Sequence, residues 1–286
     1  MKPIFSILAF VCATSLGQAA EPTKLKLHWA KNMLTISGGH LPGGEMEIHY
    51  LEAYCRDNSQ TTNWGQHTVV GHKTRLISRS NDGSQIRLHC DVNDGVTVEH
   101  VITASHDEVD FRLTAHNPTN KRSEAHWAQP CIRVGKFTGA DATADKYAYI
   151  KKSFVYLDGK RAMMPTQGWA TEARYIPGQV WAGPGVPRAD VNPRPLHPAV
   201  PGNGLIGCFS GDDSMIFATA FEPYQELFQG VIRCLHSDFR LGGLAPGETL
   251  DITGKIYLVK NDEAALLKRY HKDFPTHKAL HRPGEK

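Results

Sequence analysis

The chain has 286 residues, of which 41% are hydrophobic and 21% are charged. This composition supplies enough apolar side chains for a folded core and differs from the charge-rich, apolar-poor composition of disordered proteins. The 32 basic and 29 acidic residues are scattered and give a formal net charge of +3, which argues against a nucleic acid or an anionic membrane as the partner. The length allows one large sheet-rich domain or two small domains.

The first 20 residues have the pattern of a secretory signal peptide. Lys2 precedes an apolar run at 4–13, and small residues follow up to Ala20. The run is far shorter than the roughly 20 residues of a membrane-spanning helix, and no later segment is long enough either. We therefore predict a signal peptide at 1–20 and a mature chain at 21–286 that is secreted or periplasmic and has no membrane span.

Five cysteines follow the predicted signal peptide, and none of them forms a closely spaced pair. An oxidising compartment permits disulfides, but an odd number leaves at least one thiol unpaired. Because each cysteine has apolar or strand-like neighbours, we predict small buried side chains and leave one disulfide open. The residues are Cys55, Cys90, Cys131, Cys208 and Cys234.

Short strand-like runs broken by turn residues fill the first part of the mature chain. Apolar residues alternate with polar ones in these runs, which indicates half-buried antiparallel strands. The Asn93-Asp94-Gly95 turn favours a tight hairpin between two of them. The predicted strands are 33–37, 45–51, 85–92, 96–104 and 109–116.

The segment from 159 to 207 carries eight prolines together with Trp169 and Trp181 and shows little regular period. Linkers between domains rarely carry tryptophans, whereas long irregular insertions in a compact domain are often binding loops. We therefore predict one domain whose loops form a site. The elements predicted after this segment are strands at 205–209, 215–222, 231–235 and 250–258, and a helix at 264–270 capped by Asn261 or Asp262 and ended by Pro275.

Two patches concentrate side chains that could do chemistry. The first follows the Asn117-Pro118 turn, and its candidate residues are His126, Trp127, Gln129 and Arg133. A histidine titrates near neutral pH and can act as an acid or a base, although a hydrogen-bonded structural histidine is an open alternative. Trp127 and Trp181 suit stacking on a sugar ring, and they also suit plain burial.

The second patch runs from 221 to 243, and its candidate residues are Glu222, Tyr224, Gln225, Arg233, His236, Asp238 and Arg240. Glu222 ends an apolar strand, and its aromatic and amide neighbours suit sugar stacking and hydrogen bonding to hydroxyl groups. The alternative for Glu222 is a solvent-exposed carboxylate at a strand end.

The spacing of His236, Asp238 and Arg240 places them on one face if this segment is a strand. His236 is then a catalytic base oriented by Asp238, or the three residues form a salt-bridged surface strip. Metal ligation by the first two is a third alternative. Because no third ligand has a diagnostic spacing, we predict no metal site.

Motifs in both halves of the chain resemble the galactose mutarotase-like (aldose 1-epimerase) superfamily. In the first half, a strand ends at Asn117-Pro118 and the next one opens with His126-Trp127. In the second half, Glu222 and the nearby Gln225 precede a Leu-Ala-Pro-Gly-Glu turn at 244–248 and a final strand. The resemblance implies an all-β fold, a large antiparallel β-supersandwich with long loops and a short C-terminal helix, with the sugar site in its concave face.

The resemblance also implies roles for two residues. Glu222 would be the general base that takes the proton of the anomeric hydroxyl, and His126 would bind or protonate the ring oxygen. Anomers would interconvert in this way without a cofactor. The implied partner is a mono- or polysaccharide, and the implied activity is that of a sugar epimerase.

Two other functions stay open at this point. A polysaccharide lyase needs a base and cationic groups near a uronate carboxylate, which Tyr224, His236, Arg233 and Arg240 would supply. A non-catalytic carbohydrate-binding envelope protein would use the same fold without catalysis. The places of His126, Glu222 and His236 discriminate between these functions, because one shared pocket favours an enzyme and dispersion favours binding alone.

Overall fold

The computed structural model describes residues 23–58, 63–166, 178–191, 195–230 and 232–278. The predicted signal peptide and Trp169 lie outside these residues. No helix in the described ranges is long and apolar enough to span a bilayer.

Strands make up most of the regular structure. In chain order they are β1 (Lys26–Ala30), β2 (Met33–Ser37), β3 (Glu45–Cys55), β4 (Val69–Val70), β5 (His72–Arg79), β6 (Gln85–Val92), β7 (Thr97–Ala104), β8 (Glu108–His116), β9 (Trp127–Arg133), β10 (Ser153–Leu157), β11 (Lys160–Met163), β12 (Val180–Ala182), β13 (Ile206–Phe209), β14 (Met215–Glu222), β15 (Tyr224–Gln229), β16 (Cys234–Arg240) and β17 (Thr249–Lys260). The α-helices are α1 (Trp64–His67) and α2 (Glu263–Asp273), and short 3₁₀ helices lie at Ala140–Ala142, Ile150–Lys152, Arg188–Asp190 and Thr276–Lys278.

Within the described residues, the strands form two antiparallel sheets. The first sheet has eight strands, in the order β1-β2-β3-β9-β16-β15-β12 with β4 also paired to β3. The second has nine strands, in the order β11-β10-β13-β14-β17-β8-β7-β6-β5. The predicted all-β sandwich with a short C-terminal helix is therefore confirmed.

The predicted hairpin joins β6 to β7 through the turn at Asn93-Asp94-Gly95. Gly95 has φ +99, which an L side chain rarely adopts, and its N–H donates to the Val92 carbonyl at 2.9 Å. The turn sets the register in which Cys90 pairs with Val98, so the alternating apolar residues of both strands face the same side.

A main apolar cluster fills the space between the sheets. Leu235 and Phe239 of β16 point into it from the first sheet, and Phe217 and Phe221 of β14 point into it from the second. The rings of Phe221 and Phe239 meet with centroids 5.5 Å apart. Because side chains alternate along a strand, His236 and Asp238 of β16 face away from this core.

A second apolar cluster lies on the other side of the second sheet, beneath α2. Leu266 and Tyr270 of the helix pack there against Ala218 and Ala220 of β14. The predicted cap is confirmed, because the Asp262 carboxylate accepts the Ala265 N–H at 2.9 Å. The helix is longer than predicted and reaches Asp273.

Two details differ from the sequence-based expectation. The strand expected at 231–235 instead runs from Cys234 to Arg240, because Arg233 has φ +55 and is not extended. The proline-rich segment is less irregular than its composition suggests, since β11 joins the second sheet and β12 the first.

The cysteine prediction is confirmed in its main part. The five cysteines of the predicted mature chain are all buried, and all are free thiols. The disulfide that the sequence left open is not formed among them.

Candidate functional site

The outward side of the first sheet carries most of the predicted site residues. On β16, Leu235 and Phe239 face the core, so His236, Asp238 and Arg240 share the opposite side, as their spacing predicts. On the neighbouring β9, Trp127 lies opposite Arg240 in the register and faces the same way. Gln129, Cys131 and Arg133 follow Trp127 at two-residue steps on that side.

Five polar side chains meet where β9 and β15 begin and β16 ends, and we call this group the polar corner: Asp57, His126, Asp190, Gln225 and Arg240. The Nε2 atom of His126 lies 3.9 Å from Asp57 Oδ2, and Arg240 Nη2 lies 3.9 Å from Asp190 Oδ2. Arg240 Nη1 donates to Gln225 Oε1, and Gln225 Nε2 donates to the Asp190 carbonyl at 3.0 Å. The corner thus groups two acids, a base and a cation, and the fully buried Gln225 links Arg240 to the Asp190 backbone.

Backbone hydrogen bonds hold the polar corner in place. The chain passes from the second sheet to the first at Pro223, whose carbonyl accepts the Arg240 N–H at 2.9 Å. The N–H groups of Leu241 and Gly242 both donate to the His126 carbonyl, at 2.8 and 2.9 Å. These bonds fix the start of β9 against the end of β16.

Gly243 allows the next loop to pass directly over His126. A Cβ atom at this glycine would lie 2.5 Å from His126 Nε2, and its φ of +67 also disfavours other residues. The close approach therefore requires glycine at this position, and the loop lies directly against the imidazole.

Electrostatics favour a neutral His126. Burial lowers its pKa, Arg240 lowers it further, and Asp57 opposes this shift. The Nδ1 atom is buried and makes no hydrogen bond within the described residues. His126 can therefore accept a proton near neutral pH, which is what a general base must do.

A buried polar row runs inward along β16 from the corner. His236 Nδ1 lies 3.2 Å from Asp238 Oδ1, and Gln129 Nε2 donates to Asp238 Oδ2 at 3.3 Å. Burial disfavours the charged imidazole, but the charges of Cys234 and Asp238 outweigh it and raise the pKa of His236 to about 10. Burial raises the pKa of Asp238 to about 6. His236 and Asp238 thus form a hydrogen-bonded pair that is enclosed by protein.

The structure does not bring Glu222 and His126 together. Glu222 pairs with Thr253 in the β14–β17 register and follows the core-facing Phe221, so it lies on the outer side of the second sheet. It contributes to the raised pKa of Tyr270 in α2. Burial raises the pKa of Glu222 itself, and no hydrogen bond or ion pair in the described chain links it to His126.

The two tryptophans predicted to stack on sugar are both fully buried. Trp181 lies in the core between the sheets. Trp127 is covered by Trp64, with ring centroids 5.8 Å apart, and its Nε1 donates to the Arg56 carbonyl at 3.1 Å. Neither indole offers a free face, so neither can stack on a sugar in this structure.

The residues proposed for a lyase are dispersed. Tyr224 is buried against His277, with ring centroids 5.5 Å apart. Arg233 forms an ion pair with Asp141 at 2.7 Å. His236 is enclosed in the buried row, so only Arg240 of this set lies at the polar corner.

Arg133 lies at the far end of the same outward side, where it pairs with Glu47 of β3 and Cys234 of β16 in the register. It is half-buried, and its Nε makes no hydrogen bond to the described residues. It belongs to the same face as the corner but not to the corner itself.

Sequence reasoning missed four residues of this face. Glu226 is fully buried and lies opposite Asp238 in the β15–β16 register, but no motif marks it beyond its place next to Gln225. Asp57 and Asp190 lie outside the strands. Asp190 belongs to the proline-rich segment that was expected to form a site, but no pattern singles out either residue. Cys131 of β9 lies near Cys234 and His236 of β16, with ligand atoms within 4.8 Å of one another, whereas the sequence predicted only a small buried side chain at this position.

Neither a protein-family model nor a curated protein matches this sequence. Among solved structures, the chain is similar to the Slr1438 protein from Synechocystis sp. PCC 6803, with a TM-score of 0.42 and 11% identity over 84% of this chain and 96% of that chain. It is similar to a galactose mutarotase-like protein from Lactobacillus casei ATCC 334, with a TM-score of 0.43 and 10% identity over 82% of this chain and 99% of that one. It is also similar to the alpha-N-acetylgalactosaminidase NagBb from Bifidobacterium bifidum, with a TM-score of 0.47 and 10% identity over 87% of this chain and 37% of that one. The functional assignment therefore rests on this chain's own residues.

Proposed function

We propose that this protein binds a carbohydrate at the polar corner and that His126 exchanges a proton with the bound sugar, as an anomer-interconverting isomerase requires. The observation that carries the proposal is the convergence of His126, Arg240, Gln225 and two carboxylates at one corner of the first sheet. Sites that bind small polar molecules are typically built from a few such convergent groups on a rigid scaffold.

The chemistry of the corner suits sugar hydroxyl groups. A hydroxyl both donates and accepts, so it needs carboxylate acceptors, guanidinium donors and amides that do both. Side-chain exposure is 19% for His126, 23% for Arg240 and 59% for Asp57, so a ligand can reach all three. The polar corner has two carboxylates and one guanidinium, and this balance of charge suits a neutral sugar better than a negatively charged uronate.

His126 is the residue that we propose for proton transfer to and from the sugar. Burial keeps its pKa below the ordinary histidine value, so the neutral imidazole can take the proton of the anomeric hydroxyl. The imidazolium that forms can then give this proton to the ring oxygen as the bond between C1 and the ring oxygen breaks. Asp57, 3.9 Å away, can stabilise the imidazolium that forms. The expected pairing of His126 with Glu222 is not part of this proposal, because Glu222 lies in β14 of the second sheet whereas His126 directly precedes β9 of the first.

Export is a further part of the proposal. The charged start, apolar run and small residues at 1–20 support removal of this segment before Glu21 and a secreted or periplasmic place of action. Intact-mass measurement of the exported protein tests this, since a chain that retains 1–20 would contradict it.

Sugar binding is tested by calorimetric titration of the chain at 21–286 with a panel of free mono- and oligosaccharides. We expect Arg240→Gln to weaken binding at least about tenfold, because a charge-assisted hydrogen bond is lost. The matched control is Arg112→Gln, which removes an exposed guanidinium paired with Asp110 on the second sheet. Equal affinity of the two variants, or no binding of any sugar by the wild type, would overturn the proposed site.

Polarimetry of freshly dissolved α-anomers tests the proton step. We expect the wild type to accelerate mutarotation and His126→Gln to lose about 10²-fold or more of this acceleration. His116→Gln, which changes a histidine on β8 hydrogen-bonded to Thr249, is the matched control. Sugar binding without any acceleration would reduce the function to binding alone.

A further inference from the structure

Three buried soft ligands lie together on the outward side of the first sheet, beyond the polar corner. Cys131 of β9 and Cys234 and His236 of β16 place their ligand atoms within 4.8 Å of one another. Their exposure is 1%, 2% and 1%. We propose that these three residues bind a zinc ion. The inference is independent of sugar binding at the corner.

The distances fit tetrahedral coordination. Bond lengths of about 2.3 Å for zinc–sulfur and about 2.0–2.1 Å for zinc–nitrogen place a sulfur and a nitrogen ligand roughly 3.5 Å apart at tetrahedral angles. The observed distance from Cys234 Sγ to His236 Nε2 is 3.4 Å. Both cysteines are free, so two sulfurs are available as thiolate ligands.

His236 is oriented as a metal ligand. Its Nδ1 lies 3.2 Å from the Asp238 carboxylate, which leaves Nε2 to face the sulfur atoms. The second Asp238 oxygen accepts a hydrogen bond from Gln129 at 3.3 Å. A histidine that binds a metal through one nitrogen commonly donates its other N–H to a carboxylate held in this way.

The scaffold fixes the ligands before any ion arrives. Leu235 pairs with Ile132 in the β9–β16 register, which sets His236 opposite Cys131 on the outward side. Phe228 of β15 packs on the His236 ring, with centroids 3.9 Å apart and planes inclined by 33°. Two adjacent strands joined by backbone hydrogen bonds are a rigid support for such a cluster.

Gly230 supplies the space for Cys234. A Cβ atom at Gly230 would lie 2.1 Å from Cys234 Sγ, so any other residue would displace the thiol from the cluster. The sulfur therefore lies against bare backbone.

The donor set selects the type of ion. Thiolate and imidazole ligands suit zinc, whereas magnesium and calcium prefer oxygen. Three protein ligands leave one position of a tetrahedral ion for water or another small ligand. A disulfide between Cys131 and Cys234 is the competing outcome in an oxidising compartment.

The test uses the chain at 21–286, purified with reductant, stripped with a chelator and titrated with zinc chloride against a chromophoric zinc chelator. We expect one zinc ion per chain. Cys131→Ser, Cys234→Ser and His236→Gln should each weaken zinc binding at least about 100-fold, because a tetrahedral site loses one of its three protein ligands. Cys208→Ser is the matched control, since it changes a buried free thiol of the second sheet.

A thermal unfolding series covers the case in which a variant folds poorly. Zinc should raise the Tm of the wild type and of Cys208→Ser over that in the chelator, because an ion bound only to the folded state stabilises it. Stoichiometric zinc that is lost only in the three cluster variants supports the site. No zinc in the reduced wild type, undiminished binding in Cys131→Ser, or a Cys131–Cys234 disulfide that reduction does not convert to a zinc-binding form would each overturn it.

Discussion

The two sheets present different chemistry on the sides that face away from their shared core. On the first sheet, β9 and β16 bury His236, Asp238 and Gln129 in mutual hydrogen bonds. On the second sheet, β14 is covered by the apolar face of α2, and the polar groups elsewhere include ion pairs, such as the exposed Arg112 with Asp110 and the buried Lys255 with Glu108.

This difference distinguishes residues that stabilise the fold from residues that could form a functional site. An apolar cover like α2 stabilises a sheet through burial alone, whereas buried polar groups cost free energy unless every partner is in place. Nothing in the packing of a β-sandwich requires a carboxylate, an imidazole and two thiols on one side of a sheet. We therefore regard the outward side of the first sheet as the functional side.

The largest expected effect comes from removing the carboxylate at the centre of that side. Asp238→Ala leaves the buried His236 without its carboxylate partner and should lower the free energy of unfolding by about 3–5 kcal/mol. Arg112→Ala breaks an exposed pair on the second sheet and should cost at most about 1 kcal/mol. Urea unfolding measures both, and similar losses in the two variants would remove the contrast between the sheets.

Removing an apolar contact under α2 should have the next largest effect. Leu266 is fully buried between the helix and β14, so Leu266→Ala should cost about 2–4 kcal/mol. Leu267→Ala, one residue further along and only partly buried, is the matched control and should cost clearly less. Equal costs would mean that the helix does not pack as a specific cover.

Local patterns were enough to predict much of the fold. Alternation at 96–104 and 109–116 marked β7 and β8, and the Asn93-Asp94-Gly95 turn marked the hairpin before them. The cap at Asp262 marked the start of α2. These features depend on residues close in sequence, and a single sequence records them directly.

The site was only partly predictable, because its residues meet through long-range pairing. The spacing of His236, Asp238 and Arg240 implied a common face, but nothing local places Cys131 beside them, since β9 and β16 are distant in sequence. The sequence predicts Trp181 to be a binding residue in an irregular segment. In the structure it belongs to β12 and its side chain lies in the core. Burial of this kind is decided by tertiary packing and not by the residue type.

A buried histidine in the core between the sheets makes the stability of the folded protein depend on pH. His100 of β7 is buried, bonds Tyr50 through Nδ1 at 2.8 Å, and has a pKa that burial lowers to about 3. As the pH falls, His100 is protonated in the unfolded chain before it is protonated in the folded protein. Its contribution to the free energy of unfolding is therefore fully present above about pH 6.5 and is lost as the pH falls toward 3.

Between pH 6 and 5, we therefore expect the free energy of unfolding of the wild type to fall by about 1 kcal/mol more than that of His100→Gln. His116→Gln, at a partly exposed position of β8, should leave the wild-type slope unchanged. Urea unfolding at each pH gives the slopes. Parallel slopes for wild type and His100→Gln would show that this histidine is not held neutral in the folded protein.

The smallest expected effect concerns how α2 is anchored over the second sheet. The Asp262 side chain accepts the Ala265 N–H at 2.9 Å and satisfies one of the free N–H groups at the start of the helix. Asp262→Ala should lower the free energy of unfolding by about 1 kcal/mol, whereas Asp262→Asn should cost little, because asparagine caps helices nearly as well. Neither variant should change zinc or sugar binding, since α2 covers the second sheet and both proposed sites lie on the first. A loss of either ligand in Asp262→Ala, at a temperature where the variant is fully folded, would show that the two outer sides are coupled and that the separation drawn between them is wrong.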